Sequence, residues 1–246
     1  MGAFAFLMIA IVLAVAGAAA VVVLRGKRGA QAPCPKPPTD PYKIAYLAGG
    51  ADGVIRIAIY QLCSTGLLTA VAGRLKRAKP DAESLAESDL DRAIVRMVGE
   101  GLNVATILKD PNILRTAESL RGSLVGEQLV ADDQIRDGNR NLALIAGGVA
   151  LAVTILGIVL NLDEAADLLI ALVVIGGIFG FLAAKPPTLT PRGNHALASL
   201  RSRFQQTAKN KSSTGGIESL TVAALYGFDA LPAAEQPLAR VIFYKK

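Results

Sequence analysis

Three long runs without a charged side chain dominate the hydrophobic pattern: Gly2–Leu24, Leu142–Leu160 and Leu168–Ala184. As helices rising about 1.5 Å per residue they would extend roughly 26–35 Å, against a bilayer hydrocarbon core of about 30 Å. A core helix of such length keeps a polar stripe, and these runs have none. The pattern therefore predicts three transmembrane helices over 2–24, 142–160 and 168–184. A short turn, 161–167, holds Asp163, Glu164 and Asp167 and no base, and makes the second and third helices antiparallel neighbours.

Between and after these runs the pattern changes to that of folded, water-exposed sequence. Pro33, Pro35, Pro37 and Pro38 mark 25–39 as an extended linker. A mostly helical domain is expected over 40–140. Gly49-Gly50 breaks its first segment. Ala51–Ser64 then reads as a helix with apolar faces Val54/Ala58/Leu62 and Ile55/Ile59/Cys63. Gly66 stops it, and Leu67–Val71 with Arg74–Ala78 reads as a hairpin. Helix, glycine stop and hairpin together suggest a small winged-helix-like fold. Ser88, with Asp91 three residues on, is a helix start whose stripe is Leu90, Ile94, Met97 and Val98. Asp110-Pro111 opens a helix to about Val130 along Ile113, Ala117, Leu120 and Leu124. In the tail, 185–246, Thr190-Pro191 begins a helix with Leu197, Leu200 and Phe204 on one face and Arg201 and Arg203 beside them. Glu218–Tyr226 is helical up to Gly227, and Ala239–Tyr244 is strand-like. So small a segment does not fold alone, and docking on 40–140 is the expectation.

Charge supplies orientation. All 26 Lys and Arg fall outside the three runs and the acidic turn. The bases nearest the run ends are Arg25, Lys27, Arg28, Arg136, Arg140, Lys185 and Arg192, and they mark one side as cytoplasmic. The expectation is three spans, N-out and C-in, in a bacterial cytoplasmic (inner) membrane, with the soluble sequence on the cytoplasmic side. A cleaved signal peptide would need bases before the first run. Here Arg25-Gly26-Lys27-Arg28 follows it instead, as in a reverse anchor. The composition agrees with this picture: 52% hydrophobic, no Trp and a mean hydropathy of +0.43. Two cysteines, Cys34 and Cys63, are too few for a disulfide framework and are read as free thiols.

Small residues define candidate helix-packing positions. In the first run Ala10, Ala14 and Ala18 share one face, which suits either close helix approach or an alanine-rich exposed face. The second carries Gly147, Gly148 and Gly157, and the third Gly176, Gly177 and Gly180, where Gly176 and Gly180 form a GxxxG pair. Thr154 is expected to bond its own helix backbone. No ionisable residue lies inside a run, which argues against an ion or proton path.

Several patches together resemble a family of uncharacterised bacterial membrane proteins. They are Tyr46-Leu47-Ala48-Gly49-Gly50 with Arg56, the Gly66-Leu67 stop, the paired runs, Thr190-Pro191-Arg192-Gly193 with Leu197 and Leu200, and Val222-Ala223-Ala224-Leu225-Tyr226-Gly227. Many members of that family end in a Gly/Cys-rich tail, which this sequence, stopping at Lys246, lacks. The resemblance implies architecture and no particular activity.

Catalytic signatures are missing. His195 is the single histidine, Cys34 and Cys63 lack metal or redox spacing, and there is no GxxxxGK[ST] or GxGxxG. Gly49-Gly50-Ala51-Asp52-Gly53 lacks the lysine of a phosphate loop and reads as a turn and helix start. Asp81, Glu83, Glu87, Asp89 and Asp91 read as solvated surface. Arg74, Lys76, Arg77 and Lys79 form a basic cluster suited to anionic lipid or an acidic partner. Nucleic-acid binding is disfavoured, because Ala51–Ser64 offers few polar side chains to read bases. The expectation is a non-catalytic accessory, assembly or scaffold subunit of a larger membrane complex. It would need no cofactor or metal, and would contact other membrane-protein subunits by helix packing. The alternatives are a membrane-tethered winged-helix-like regulator that binds nucleic acid and an enzyme of unrecognised type.

Overall fold

A computed structural model describes residues 37–71, 74–99, 101–160, 173–178, 188–212 and 215–243, with isolated positions between 8 and 23. The chain divides into two compact units. One comprises Met1–Pro33 with Ala131–Arg192, the other Cys34–Val130 with Gly193–Lys246.

The second unit is built around helix α1, Pro41–Ser64. Asp40 starts it by accepting from the Tyr42 N–H, and Pro41 occupies the first turn, where its missing N–H costs nothing. The helix breaks at Gly50, whose φ of 65° favours glycine. A Cβ placed on Gly53 would stand 2.8 Å from the Ala45 carbonyl oxygen, so the limbs on either side of the break touch through backbone. After the break the helix is buried almost all round: Val54, Ile55, Ala58 and Ile59 are each 0% exposed, and Ile57, Tyr60 and Leu62 are buried beside them. Burying a side chain of this size stabilises by about 1.5–3 kcal/mol. At the C-terminus Gly66 takes φ 71°, and the Leu67 N–H returns to the Leu62 carbonyl at 2.9 Å. The left-handed glycine and the long return bond form the stop that ends many helices.

Strands β1 (Leu68–Val71) and β2 (Arg74–Arg77) pair antiparallel, with Leu68 opposite Arg77 and Val71 opposite Arg74. A short helix α2 (Ala82–Leu85) leads to α3 (Asp89–Val98). Ser88 and Asp91 form a reciprocal capping box at the start of α3, and Leu90, Ile94, Val95 and Val98 are buried along it. Strand β3 (Leu102–Asn103) joins the far side of β2, and one-turn helix α4 (Val104–Ile107) follows. Asp110 then caps α5 (Pro111–Glu118) through the Asn112 and Ile113 N–H groups. The helix expected to run on to Val130 is divided at Ser119, and α6 spans Leu120–Gly126. Ser119 Oγ donates to the Thr116 carbonyl at 2.7 Å, which competes with the helix ladder at that point.

In the first unit α7, Asp133–Leu160, turns Gly147, Ala150 and Thr154 inward. Thr154 Oγ1 donates to the Ala150 carbonyl, four residues back, at 2.9 Å. A Cβ on Gly176 would lie 4.0 Å from Leu151 Cδ2, so the short helical stretch Val173–Ile178 runs beside α7, with Ile175 buried.

The tail returns with α8 (Pro191–Asn210) and α9 (Gly216–Tyr226), followed by a 3-10 turn at Phe228–Ala230 and α10 (Gln236–Phe243). Helix α9 lies on α1, as do α5, α3, β1 and α10. The strand expected over Ala239–Tyr244 is helix through Phe243. Pro237 fits a first helical turn, Ala239 and Ile242 are buried at helical spacing, and Phe243 stacks on Phe228 at 4.4 Å. Helical packing outweighs the β-branched pair Val241-Ile242.

The three-span architecture is corrected. Among the described residues no helix is long and apolar enough to cross a membrane. A span needs about 20 mainly apolar residues. Helix α7 spends its opening turns on Asp133, Arg136, Asp137 and Arg140. The third run is described as helix only over Val173–Ile178, and the first only at isolated positions. The N-out, C-in topology and the multi-pass, bacterial inner-membrane localisation lose their support with it. The winged-helix-like expectation is also corrected, because the would-be recognition helix is the buried centre of the fold and offers no open face to a groove. The linker over 25–36, the acidic turn 161–167, Cys34 and Lys185 lie outside the described residues.

Backbone proximity yields a test. A Cβ on Gly193 would fall 2.0 Å from the Leu129 carbonyl oxygen, whereas one on Gly49 meets nothing within 4 Å. Gly193→Ala should therefore cost at least about 2 kcal/mol in urea unfolding. Gly49→Ala should be neutral or stabilise by up to about 1 kcal/mol.

Candidate functional site

The break in α1 opens a pocket. Ala48, Gly49, Gly53 and Arg56 form one wall, Ala223–Leu225 with Gly227 and Phe228 another, and Arg201 and Phe243 close it, around a volume of about 290 Å³. Small side chains at the break leave the space, and the stop at Gly227 (φ 85°) turns the end of α9 toward it. Two of the patches noted in sequence, Tyr46–Gly50 with Arg56 and Val222–Gly227, thus meet in three dimensions.

Two arginines, Arg56 and Arg201, line this pocket. Arg56 Nε donates to Asp52 Oδ2 at 2.9 Å, one turn back on α1, and its guanidinium carbon stands 5.9 Å from the centre of the Phe243 ring. Such a contact orients a cation over the electron-rich ring face. Arg201 is exposed on α8, and the Tyr226 hydroxyl donates to its backbone carbonyl, tying the end of α9 to α8. A second hollow, of about 410 Å³, is mainly apolar, with Ile44, Leu200, Phe204 and Ile217 in its walls and one base and one acid, Arg203 and Glu218, at its edge.

Close to the first pocket a buried polar cluster pins α10 to α1. Tyr60 Oη donates to Glu235 Oε2 at 2.9 Å, and Ser219 Oγ donates to Glu235 Oε1 at 2.9 Å. Tyr60 also packs against Phe228, with ring centres 5.3 Å apart. Burial, reinforced by the carboxylate, raises the Tyr60 hydroxyl well above its ordinary range. At the other end of α1, Tyr42 Oη donates to the buried Asp91 at 2.7 Å, and Tyr42 is raised for the same two reasons, burial first. Both networks satisfy the polar groups they bury, which is what a structural pin requires.

The basic cluster is split by the fold. Arg74, Lys76 and Lys79 are exposed. Arg77 is committed inward: its Nε and Nη2 donate to the Val95 and Arg96 carbonyls at 2.8 and 3.0 Å, satisfying the end of α3. Of the helix-packing positions, Gly147 is buried, Gly176 lies beside Leu151, and Gly148 and Gly177 face open space. Ala10, Ala14, Ala18 and Gly180 lie outside the described residues, as do the surroundings of Gly157.

His195 is exposed on α8, and among the described residues no three His, Cys, Asp or Glu side chains gather where they could hold a metal. Cys63 is buried, and burial pushes its thiol up to about 12. Sequence reasoning missed the pocket and the Glu235 cluster. Tyr60 and Glu235 are 175 residues apart, and neither sits in a motif. The only available signal was the pairing of glycine-rich and alanine-rich patches, and nothing in linear sequence says that they face each other.

The thiol gives a pH prediction. The unfolded thiol begins to ionise near 9, while the folded one stays neutral until about 12. Its contribution to stability is therefore complete below about pH 9 and lost as pH rises toward 12. Tyr42 and Tyr60, also raised, add to the loss above 10. In alkaline unfolding curves Cys63→Ala should show a shallower decline than wild type. At pH 9 iodoacetamide should alkylate the folded Cys63 about a thousandfold more slowly than a free thiol.

No protein-family model matches the chain, and neither do any curated protein or solved structure.

Proposed function

We propose that this chain is a non-catalytic accessory, assembly or scaffold subunit that acts through helix packing and protein–protein contact. One observation carries the reading: the outer face of α7. Ile145, Val149, Ala152, Leu156 and Val159 follow one another at spacings of four, three, four and three residues. Four of the five are large, with exposures of 66% for Ile145, 55% for Val149, 53% for Leu156 and 62% for Val159. That spacing is the apolar seam by which one helix packs on another, knobs into holes. The opposite face of the same helix, Gly147, Ala150 and Thr154, is buried within its own unit, so the seam is a second and separate packing face. A continuous apolar ridge of this size marks an interaction surface.

The remaining polar chemistry supports a binding role. Tyr60, Ser219 and Glu235 bond one another, as do Tyr42 and Asp91, and the Cys63 thiol is held neutral by burial. The exposed Arg74, Lys76 and Lys79 would favour an acidic contact on the partner.

The test compares the full chain with an Ile145→Lys, Leu156→Lys double variant. Both side chains are exposed, so the variant should fold with unchanged thermal stability. Wild type should be recovered in a complex of defined stoichiometry, and the variant should lose at least tenfold of that complex by quantitative mass spectrometry and light scattering. Recovery of wild type as a stable monomer with no partner would overturn the proposal.

A further inference from the structure

We infer that the pocket at the break in α1 binds a single carboxylate group carried on a short apolar body. This site stands apart from the seam on α7 and does not depend on what that seam holds. Arg56 and Arg201 both line the pocket, and Asp52, paired with Arg56, brings one carboxylate close by. The balance is one positive charge, which a monoanion neutralises and a dianionic phosphate would overshoot beside Asp52. The Arg56–Asp52 pair is half exposed at both ends, and such pairs contribute little. Arg56 can therefore turn its remaining N–H groups to a ligand without a large loss. A planar guanidinium matches a carboxylate with two parallel hydrogen bonds.

The walls supply the rest of the recognition. Ile57, Phe228 and Phe243 present apolar surface, and the small residues Gly49 and Ala223 leave room against it. A volume of about 290 Å³ lies at the lower edge of small-molecule sites, which limits the ligand to a few carbons beyond its carboxylate. Phe243 is fixed by its stack on Phe228 and in turn holds Arg56 from one side, so the charged wall is oriented before anything binds. The same chemistry is presented by a free short-chain carboxylic acid and by the last residue of a peptide chain.

The experiment uses the full chain and three variants. Arg201→Gln removes an exposed charge. Arg56→Gln removes the paired one. Gly49→Leu fills the pocket from a position where an added Cβ meets no neighbour. Isovalerate and a tetrapeptide ending in Val with a free carboxylate are titrated by calorimetry and NMR, each beside its carboxamide, with inorganic phosphate as a third probe. At least one carboxylate probe should bind tenfold or more tightly than its amide. That binding should fall at least tenfold in Arg201→Gln and vanish in Gly49→Leu, with thermal stability unchanged in both. Binding of isovalerate alone would assign a free acid, and binding of the peptide a chain terminus. Equal binding of acid and amide, preference for phosphate, indifference to Gly49→Leu, or no binding of any probe would each overturn the inference.

Discussion

The second unit depends on the contact between the two limbs of α1. Backbone meets backbone where the Ala45 carbonyl approaches Gly53, an approach that a side chain at Gly53 would block. Gly50 supplies the turn that makes the approach possible. Because the helix bends there, its second limb runs through the middle of the unit, with α3, α5, α9, α10 and β1 arranged on it. A large-to-small change at a buried position such as Ile59 would leave a cavity costing about 2–5 kcal/mol.

The polar groups of this core are arranged as pins between elements distant in sequence. Tyr42 reaches Asp91, which also closes the capping box of α3, so one carboxylate ends a helix and ties it to α1. Tyr60 and Ser219 share Glu235 and hold the start of α10. Arg77 closes the end of α3 from the hairpin. Each buried donor removed from these networks would leave its partner unsatisfied, at a cost of about 1–3 kcal/mol. The pocket at the break is a consequence of the same geometry. A bent helix with glycines at the bend cannot fill the space it creates, and Arg56 and Arg201 border that space.

Much of the local structure was legible. Ser88 with Asp91 and Asp110 with Pro111 started helices, Gly66 and Gly227 ended them, and the hairpin fell within the two stretches read after the Gly66 stop. These are short-range effects, decided within four or five residues by capping and backbone sterics. Two local readings failed for longer-range reasons. Ala239–Tyr244 was read as a strand, but the chain is helix through Phe243, which stacks on Phe228. The helix after Pro111 was drawn as one piece because its apolar stripe continues through the division at Ser119. The membrane-spanning reading rested on the length of the uncharged runs in sequence. Spanning needs one helix that is both long and apolar enough, and none is found among the described residues.

By itself the sequence determined which positions cap, stop and turn, which faces of each helix are apolar, and that no familiar catalytic motif is present. Those properties follow from side-chain chemistry and backbone freedom at neighbouring residues. Tertiary structure alone decided that α1 is central rather than exposed, that Arg77 faces inward while Arg74 and Lys76 do not, and that α7 has one buried and one open apolar face. It also decided that Arg56, Arg201 and Phe243, far apart in the chain, border one pocket. The reason is physical. A helix records its own periodicity, but which of two apolar faces is covered, and which distant charges meet, depends on how several helices share the burial of a common core.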